Sequence, residues 1–381
     1  MNRNDPTSSC LDGGRAADKL KYYVGFSLIP QIGAKRAQKL LNFFDSLENA
    51  WKGREVDLAR AGIEENIISE IIKARAEFDL DKEMEKIQKE GIGLLTINDK
   101  NYPKLLKEIY APPFLLYIKG EIKEQDEYAI AVVGARKCTD YGKQATEQLC
   151  LALAQNKITI VSGLALGIDS FAHHSALVTE GARTIGVMGC GIDSKTIYPT
   201  ANRNLAGGII AGRGAIISEY PIGTPPLKQH FPARNRIISG LSLGVLVIEA
   251  TETSGSLITA NCALEQGREV FAVPGSIHNK NSVGPNSLIK RGAKLTENIN
   301  DILEELHLKS VVQEIEAKEI IPENKEEEKV LKCLELENRH IDEIVALTGI
   351  GISDLNALLV NMEMKGMVKG VGGGNYMVMK R

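Results

Sequence analysis

Residues 128–169 read YAIAVVGARKCTDYGKQATEQLCLALAQNKITIVSGLALGID, and this stretch decides the fold class. Two apolar runs, Tyr128–Val133 and Ile158–Val161, have the length and β-branched content of strands, and a glycine follows each within two residues. Between them, Asp140–Gln155 follows helical spacing. Two continuous apolar strands joined by a helix indicate a parallel pair, because the strands of a parallel sheet are covered on both faces.

The same alternation continues along the chain. Further strand-like runs lie at Thr184–Val187, Ala215–Ser218, Leu243–Ile248 and Val270–Val273, with helical patterns such as Gly167–Thr179 and Ser256–Gly267 among them. Two more strand-like runs come earlier, at Gly93–Ile97 and Phe114–Ile118. We therefore predict an α/β fold with an extended Rossmann-like, doubly wound parallel sheet over residues 79–308. Its ligand site is expected at the carboxyl ends of the strands, near the point where the strand order reverses.

The amino-terminal part differs in character from this sheet. Residues 1–18 are polar and are predicted to form a disordered tail, and residues 19–78 are predicted to be helical. Within them the run Leu28–Gly33 leads into a helix that starts at Ala34, which is typical of a helix-hairpin-helix or SAM-like module. In such a turn the glycine allows a DNA phosphate to approach backbone N–H groups. A small helical packing module with an ordinary turn fits the same residues.

The carboxyl-terminal part begins with an acidic segment. Residues 309–327 are predicted to be a solvated acidic linker, and residues 328–381 a winged helix with helices at Glu328–Glu335, Ile341–Leu347 and Ser353–Lys365 and a final hairpin. Ser353 is a candidate N-cap for the third helix. This helix carries no arginine and only one lysine, at its end, so direct base reading is disfavoured and protein interaction is at least as well supported.

The charge of the chain is distributed unevenly. Its 381 residues include 46 Lys+Arg and 49 Asp+Glu, a net charge of −3, which excludes a protein that is basic all over. Residues 128–236 nevertheless contain eleven cations and six carboxylates, a net +5, whereas residues 301–345 carry a net −8. A basic cleft in the central domain is therefore compatible with the total.

The cysteines and the apolar stretches of the sequence indicate the cellular compartment. The six cysteines are scattered without a CxxC pair, which argues against a zinc site or disulfide framework and for a reducing compartment. The first residues lack the apolar core of a signal peptide, and no stretch reaches the length of a transmembrane helix. We therefore expect a cytoplasmic protein without a metal site.

Four glycine-containing turns follow predicted strands. They lie at residues 132–137, 161–169, 188–193 and 249–256. Each could be an ordinary tight turn, but four of them at one edge of one sheet favour a shared, phosphate-lined cleft. The glycines, hydroxyls and cations that these turns would contribute are Gly134, Arg136, Lys137, Ser162, Gly163, Gly167, Ser254, Gly255 and Ser256.

The densest cluster of candidate binding residues is KQHFPARNRIISG at residues 228–240, which opens a helix. Its cations crowd the positive end of that helix, which disfavours them by roughly 0.3–1 kcal/mol each unless an external anion compensates. A base could stack on the aromatic ring among them. Alternatively, the ring belongs to the core and the arginines pair with Glu219 or Glu249. The candidate binding residues here are Lys228, Phe231, Arg234, Asn235 and Arg236.

Nucleotide-cofactor and hydrolytic motifs have little support. The chain contains neither G-x-x-x-x-G-K-[ST] nor G-x-G-x-x-G, so no nucleotide cofactor is expected. Asp169 and His173 share a helix face, but no third partner or metal-ligand spacing accompanies them. We therefore expect no catalytic residue.

Four of these segments, taken together, carry a family resemblance. The runs Val133–Arg136, Ser162–His173, Phe231–Ser239 and Ser254–Ala260 occur in the order and with the residues typical of the DNA-processing protein A (DprA/Smf) family. The resemblance covers residues 102–306, and the flanking modules are similar to the family's usual helical and winged-helix additions.

The resemblance implies a non-enzymatic, single-stranded DNA-binding protein of natural transformation (competence) and homologous recombination. Such proteins protect incoming strands, load the RecA recombinase on them, and dimerise through the Rossmann-like domain. By the family pattern Arg136 and Lys228 would hold phosphates and Phe231 would contact a base. The backbone at Ser162–Gly163 and Ser254–Ser256 would complete the pocket.

Two other classes remain as alternatives. The fold is also similar to that of phosphoribohydrolases, in which Glu249 or Asp169 would be the acid/base, but those enzymes carry a P-G-G-x-G-T loop where this chain has Thr253-Ser254-Gly255-Ser256. A winged-helix regulator that senses a nucleotide would instead require a preference for duplex DNA.

Overall fold

The computed structural model describes residues 14–212, 214–308, 324–334, 338–364 and 367–378. The chain divides into two compact units, Met1–Ile302 and Leu303–Arg381, and each has a hydrophobic core of its own.

One large sheet dominates the first unit. Its strands are β1 (Gly93–Thr96), β2 (Leu115–Gly120), β3 (Ala129–Val133), β4 (Thr159–Ser162), β5 (Thr184–Met188), β6 (Gly214–Ser218), β7 (Gly244–Val247), β8 (Glu269–Ala272) and β9 (Lys294–Leu295). Their order is β1-β2-β6-β5-β4-β3-β7-β8-β9. Strands β3 to β9 pair in parallel, whereas β1 and β2 extend the sheet antiparallel beside β6. The predicted parallel α/β sheet is confirmed; β9 was not predicted, since two residues are too few to show a period.

Helices connect these strands. They are α7 (Lys104–Lys107), α8 (Asp140–Gln155), α9 (Ile168–Val178), α10 (Arg203–Ile210), α11 (His230–Gly240), α12 (Gly255–Glu265), α13 (Val283–Lys290) and α14 (Ile299–Glu305). Helix α8 has the predicted bounds because Thr139 caps it, accepting a hydrogen bond from the Gly142 backbone N–H at 3.2 Å.

The strand order shows at which edge of the sheet the ligand site is expected. The chain moves from β3 through β4 and β5 to β6 in one direction and then crosses back to β7, β8 and β9. Because crossovers between parallel strands are right-handed, α8, α9 and α10 cover one face, and α11 and α12 cover the other. The direction reverses between β3 and β7, so the switch point lies at the carboxyl ends of these two strands.

Within the described residues, six helices precede the sheet: α1 (Gly14–Ser27), α2 (Ala34–Phe44), α3 (Leu47–Lys52), α4 (Glu55–Arg60), α5 (Glu65–Glu77) and α6 (Leu80–Lys89). Phe26 and Trp51 pack edge to face in their core, with ring centroids 5.1 Å apart. Gly33 precedes α2 in an extended conformation, so the predicted glycine turn before a helix is present.

The predicted limits of this helical region differ from the structure at both ends. Helix α1 begins at Gly14, inside the predicted tail, while residues 1–13 lie outside the described residues. Helix α6 lies entirely after residue 78 and was not predicted, because its sequence is dominated by charged residues and only Leu80 and Ile87 are buried.

The second unit contains the winged helix. It consists of α15 (Lys325–Leu334), β10 (Arg339–His340), α16 (Ile341–Thr348), α17 (Ile352–Met364), β11 (Val368–Gly372) and β12 (Asn375–Val378). The strands form a small sheet in the order β10-β12-β11, and the predicted fold of this module is confirmed. Ser353 is not an N-cap, because α17 already begins at Ile352. Most of the predicted linker, residues 309–323, lies outside the described residues.

Among the described helices, none is by itself long and apolar enough to cross a bilayer. The bent pair α16 and α17 reaches that length and composition only when the two helices are taken together.

Candidate nucleic-acid interface

A pocket opens at the carboxyl edge of the sheet. The loop after β3, the loop after β4, the loop after β5 and the first turn of α11 contribute its walls. The residues that line it are Arg136, Gly163, Ala165, Leu166, Tyr198, Pro199, Phe231 and Arg234. Four of the predicted binding residues therefore meet in one place.

Two glycines bring the first two loops together. A Cβ on Gly134 would lie 2.6 Å from Cγ1 of Ile168, at the start of α9. Gly167 has a φ of +79°, and a Cβ there would lie 2.4 Å from the Ala135 carbonyl oxygen and 2.6 Å from that of Arg136. Only glycine fits such a conformation and approach. These two residues act by shaping the backbone that presents Arg136.

Phe231 is the aromatic centre of the pocket. Its half-buried ring lies 5.9 Å from the ring of Tyr198, at an interplanar angle of 45°. The guanidinium carbons of Arg136 and Arg234 lie 5.8 Å and 5.9 Å from its centroid. The ring thus stands in the pocket among cations and does not belong to the hydrophobic core.

Arg234 places a buried positive charge at the base of the pocket. It is 5 % exposed and donates hydrogen bonds to the Gly163 carbonyl at 2.8 Å and to the Val187 carbonyl. Burial lowers the pKa of its guanidinium to about 10. Its Nε has no hydrogen-bond partner in the described part of the chain. A guanidinium held by carbonyl groups keeps its charge available to an anion in the pocket.

The turn after β4 does not offer the free anion-binding groups that the sequence suggested. The Ser162 hydroxyl is fully buried and donates to the Val132 carbonyl at 2.6 Å. The Gly163 and Ala165 N–H groups donate to the Asp169 carboxylate at 3.1 Å and 3.3 Å. The Ser162 hydroxyl and these two N–H groups therefore already have partners inside the protein, whereas Gly163 lines the pocket. Phosphate binding at this turn stays a prediction. Burial raises the pKa of Asp169, and the nearby Arg234 charge opposes the rise.

Two further residues of α11 form contacts within the protein. Arg236 pairs with Glu219, as the alternative interpretation held. The Asn235 amide donates to the Gly255 carbonyl at 3.1 Å and so ties α11 to α12. Neither residue lines the pocket, because the Asn235 amide is directed at α12 and the Arg236 guanidinium at Glu219. Their predicted DNA contacts stay predictions, which these internal contacts do not favour.

The start of α12 lies outside the residues that line the pocket. The Ser254 hydroxyl accepts a hydrogen bond from the Thr251 N–H at 2.8 Å. Gly255 is exposed, with open space where a Cβ would be. The Ser256 hydroxyl is buried and has no hydrogen-bond partner in the described part of the chain. The role of these three residues in binding stays a prediction.

Two lysines flank the pocket without lining it. Lys137 follows Arg136, and Lys228 precedes Phe231 by three residues. Both lysines are exposed, as is Arg136. Across the described ranges none of these three cations forms an ion pair. They are therefore available to phosphates at the rim.

At the switch point, between the carboxyl ends of β3 and β7, the side chains of the protein itself occupy the crevice. Glu249 follows β7 and is 1 % exposed. Its carboxylate accepts hydrogen bonds from the Thr139 N–H at 2.8 Å and the Thr139 hydroxyl at 2.6 Å, and Asn281 donates to it at 3.3 Å. A Cβ on Gly142 would lie 2.4 Å from this carboxylate. Glu249 therefore holds the start of α8 against β7.

His173 is a core residue. It is fully buried, and its Nδ1 lies 2.6 Å from the Thr184 hydroxyl. Burial, with a smaller contribution from the charge of Arg234, lowers the pKa of its imidazole to about 3. In the part of the chain that the structure describes, no group of three His, Cys, Asp or Glu side chains could hold a metal ion.

Five residues of the pocket region were not predicted from the sequence, namely the lining residues Ala165, Leu166, Tyr198 and Pro199, and Asn202 behind them. Tyr198 and Leu166 are 42 % and 46 % exposed, and both line the pocket. Asn202 donates to the Leu164 carbonyl at 2.8 Å and holds the loop after β4 in place. Leu166 lies between Gly163 and Gly167 in the turn after β4, and this position was the available signal for it. Tyr198 and Asn202 had no comparable signal.

Fold and pocket together define a Rossmann-like binding protein with a cationic, aromatic site at the carboxyl edge of its sheet and a separate winged helix. The family model described as "DNA recombination-mediator protein A" matches residues 93–307. A second model, described as "DprA winged helix domain", matches residues 316–374.

Relatives agree with these matches. Protein Smf of Synechocystis is 35 % identical over 93 % of this chain and 98 % of its own length. The DNA processing protein DprA of Bacillus subtilis is 47 % identical over 59 % of this chain and 74 % of its own. The chain belongs to the DprA/Smf family of DNA-processing, recombination-mediator proteins.

Two solved structures are similar as well. The X-ray structure of DprA from Streptococcus pneumoniae is 38 % identical, with a TM-score of 0.66 over 75 % of this chain and 97 % of that one. DprA from Helicobacter pylori is 35 % identical, with a TM-score of 0.50 over 57 % of this chain and 95 % of that one, and its structure concerns a single-stranded DNA-binding mode.

Proposed function

We propose that this protein binds single-stranded DNA in the pocket at the carboxyl edge of the sheet and acts as a recombination mediator. The observation that carries the proposal is the half-buried Phe231 ring between the guanidinium groups of Arg136 and Arg234. A single strand offers the complements of both features, namely phosphates and unpaired base faces. The single-stranded DNA-binding mode of the H. pylori relative supports the same interpretation.

The geometry favours single strands over duplexes. A base can stack on Phe231 only if it is free of its partner strand, and such stacking contributes about 1–3 kcal/mol for any base. Arg136, Lys137 and Lys228 are exposed beside the ring and would hold the backbone. Phosphate contacts position the strand without reading its sequence, so binding is expected to be largely independent of sequence.

We also propose a more specific role, which membership of the family supports. We propose that the protein acts in the cytoplasm, protects incoming strands during natural transformation, dimerises through the Rossmann-like domain and loads RecA on the strands that it holds. The description of the matching family as a recombination mediator supports the last step. A nuclease-protection assay, a light-scattering mass and RecA nucleation on bound strands test these roles separately.

Binding without catalysis is the interpretation that the carboxylates support. Glu249, the acid/base of the hydrolase alternative, is held by Thr139 and Asn281 and is absent from the pocket lining. Asp169 is buried and accepts two backbone N–H groups. Base release from nucleoside monophosphates, lost on Glu249→Gln substitution, would reverse this part of the proposal.

The first test removes two cations at the pocket. Arg136→Ala combined with Lys228→Ala is expected to weaken oligonucleotide binding about a hundredfold or more, because each charged hydrogen bond to a phosphate contributes about 1.5–3 kcal/mol. Fluorescence anisotropy with a labelled oligonucleotide measures the loss.

The matched control for this test is Lys73→Ala combined with Lys89→Ala. Both lysines are exposed and lie on α5 and α6, so the same two charges are removed away from the pocket. The control is expected to bind as the parent does. Parent-like binding by the Arg136/Lys228 variant would show that the pocket is assigned wrongly.

A further inference from the structure

A second cation–aromatic pair lies beyond the pocket, on the face covered by α8 and α9. The Lys143 ammonium of α8 is 5.2 Å from the centroid of the Phe171 ring of α9. Lys143 is exposed and Phe171 is half-buried, so both can be reached from solvent. Neither residue belongs to the pocket lining.

The pair is continuous with the loops that build the pocket. The Phe171 N–H donates to the Gly167 carbonyl at 3.2 Å, which places Phe171 one turn into α9. The Lys143 N–H donates to the Thr139 carbonyl at 2.9 Å, in the first turn of α8. Gly167 lies directly against the carbonyl of Arg136, and Phe171 follows Gly167 by four residues, a rise of about 6 Å along α9.

The charges along this route are unpaired. Arg136, Lys137 and Lys143 are exposed in succession, and the described part of the chain gives none of them an ion-pair partner. Lys143 has Asp140 three residues before it and Glu147 four residues after it, positions at which helical ion pairs form. Its ammonium nevertheless lies over Phe171. A cation that covers a ring beside a row of free cations matches the pattern of single-strand binding surfaces.

We infer that a single strand leaving the pocket passes Arg136 and Lys137 and reaches Lys143 and Phe171, where the Lys143 ammonium moves off the ring to bind a phosphate and a second base stacks on the face of Phe171 that it uncovers. This inference rests on the proposed function. The binding surface then contains two aromatic platforms, Phe231 and Phe171, joined by cations. Such an arrangement holds several successive nucleotides extended without reading their sequence.

Photo-crosslinking tests the inference directly. Oligonucleotides that carry 5-iodouracil at one position each are irradiated with the full-length protein, and tryptic peptides are sequenced by mass spectrometry. Phe171 falls in the peptide of residues 158–183 and Phe231 in that of residues 229–234. We expect adducts on both phenylalanines, at different positions of the same oligonucleotide. Adducts on Phe231 alone would overturn the inference and leave the proposed function standing, whereas a protein that neither binds nor crosslinks would overturn both.

Variants give an independent readout. Phe171→Leu keeps an apolar side chain on α9 but removes the stacking surface, and Lys143→Gln removes the charge without touching the core. Both variants are expected to bind the shortest oligonucleotide that fills the pocket with the affinity of the parent. On longer oligonucleotides their affinity is expected to be lower than that of the parent by about fivefold or more. Lys143→Gln is also expected to reduce the salt slope by about 0.7.

The matched control is another exposed cation–aromatic pair, Lys35 and Tyr110, whose ammonium and ring centroid are 4.2 Å apart. Lys35→Gln and Tyr110→Leu are expected to bind oligonucleotides of every length as the parent does. An equal loss in the control and test variants would show that general charge is responsible and would overturn the inference. Circular dichroism checks that each variant is folded. If Phe171→Leu is not folded, Lys143→Gln alone tests the inference.

Discussion

Arg234 and Arg236 show how two arginines in one short segment take different roles. Arg234 is buried, is held by two carbonyl groups and lines the pocket. Arg236 is neutralised by Glu219. A cation that already has a carboxylate partner contributes less to phosphate binding than one that does not, so the number of cations in a segment overstates its binding capacity.

His173 provides a prediction at the residue scale. Its folded-state pKa of about 3 lies below the value of about 6.5 for an unfolded chain. Between these pH values the unfolded chain binds a proton that the folded protein does not, so stability is intact above pH 6.5 and falls as the pH drops. The expected loss is up to about 1.4 kcal/mol per pH unit.

Comparison with His173→Gln isolates this contribution. Between pH 7 and pH 5 the free energy of unfolding of the parent is expected to fall by about 2 kcal/mol more than that of the variant, measured by urea denaturation. Equal losses in the two proteins would contradict a buried, neutral His173.

At the scale of elements, the pocket depends on how closely two loops approach. The loop after β3 carries Arg136, and the loop after β4 runs against it through Gly167. The Ile168 N–H donates to the Ala135 carbonyl at 3.3 Å and fixes the start of α9 beside the first loop. Displacement of either loop would therefore move Arg136 relative to Phe231.

Gly167→Ala is predicted to disturb both stability and binding. A Cβ would meet two carbonyl oxygens at a positive φ, which is expected to cost at least about 1–3 kcal/mol of unfolding free energy. Thermal unfolding and oligonucleotide titration measure the two effects. Gly207→Ala is the control, because its Cβ would meet nothing within 4 Å and alanine is favoured inside α10, by roughly 0.5–1 kcal/mol. A Gly167→Ala protein as stable as the Gly207→Ala protein would refute the close approach.

The same loops show how much could be predicted from sequence. Strand ends, glycines and helix starts follow from local patterns, so Arg136, Gly163, Phe231 and Arg234 were correctly expected at one edge of the sheet. Which amides are free does not follow from such patterns, because it depends on where a side chain such as Asp169 turns. Side-chain contacts between segments that are far apart in the sequence could likewise not be predicted, since they depend on tertiary packing.

At the scale of the whole molecule, charge is separated along the chain. The net charge is −3, yet residues 128–236 carry a net +5. Long-range attraction by the total charge is therefore absent, and binding must depend on the local field of the cationic edge, which salt screens within about 10 Å at 0.1 M. The excess of cations in the central domain and the excess of carboxylates at residues 301–345 thus lie in different parts of the chain.

The winged helix differs from duplex-reading modules. Helix α17 contains no lysine or arginine between Ile352 and Met364, and Ile352 and Val360 on it are exposed. The helix therefore lacks the arginine or lysine that makes the commonest specific contact, to guanine, and offers only the exposed amides of Asn356 and Asn361 for base reading. We therefore expect the pocket of the Rossmann-like domain to dominate binding, and the full-length protein to prefer single strands.

A salt titration of binding to single-stranded and duplex DNA of the same sequence tests this preference for single strands. Tighter binding to the single strand is expected at every salt concentration, with a slope of log K against log salt of about −2 or steeper, since Arg136, Lys137 and Lys228 each neutralise a phosphate at about −0.7 per contact. Equal or tighter binding to the duplex, or binding to the single strand that does not weaken with salt, would contradict it.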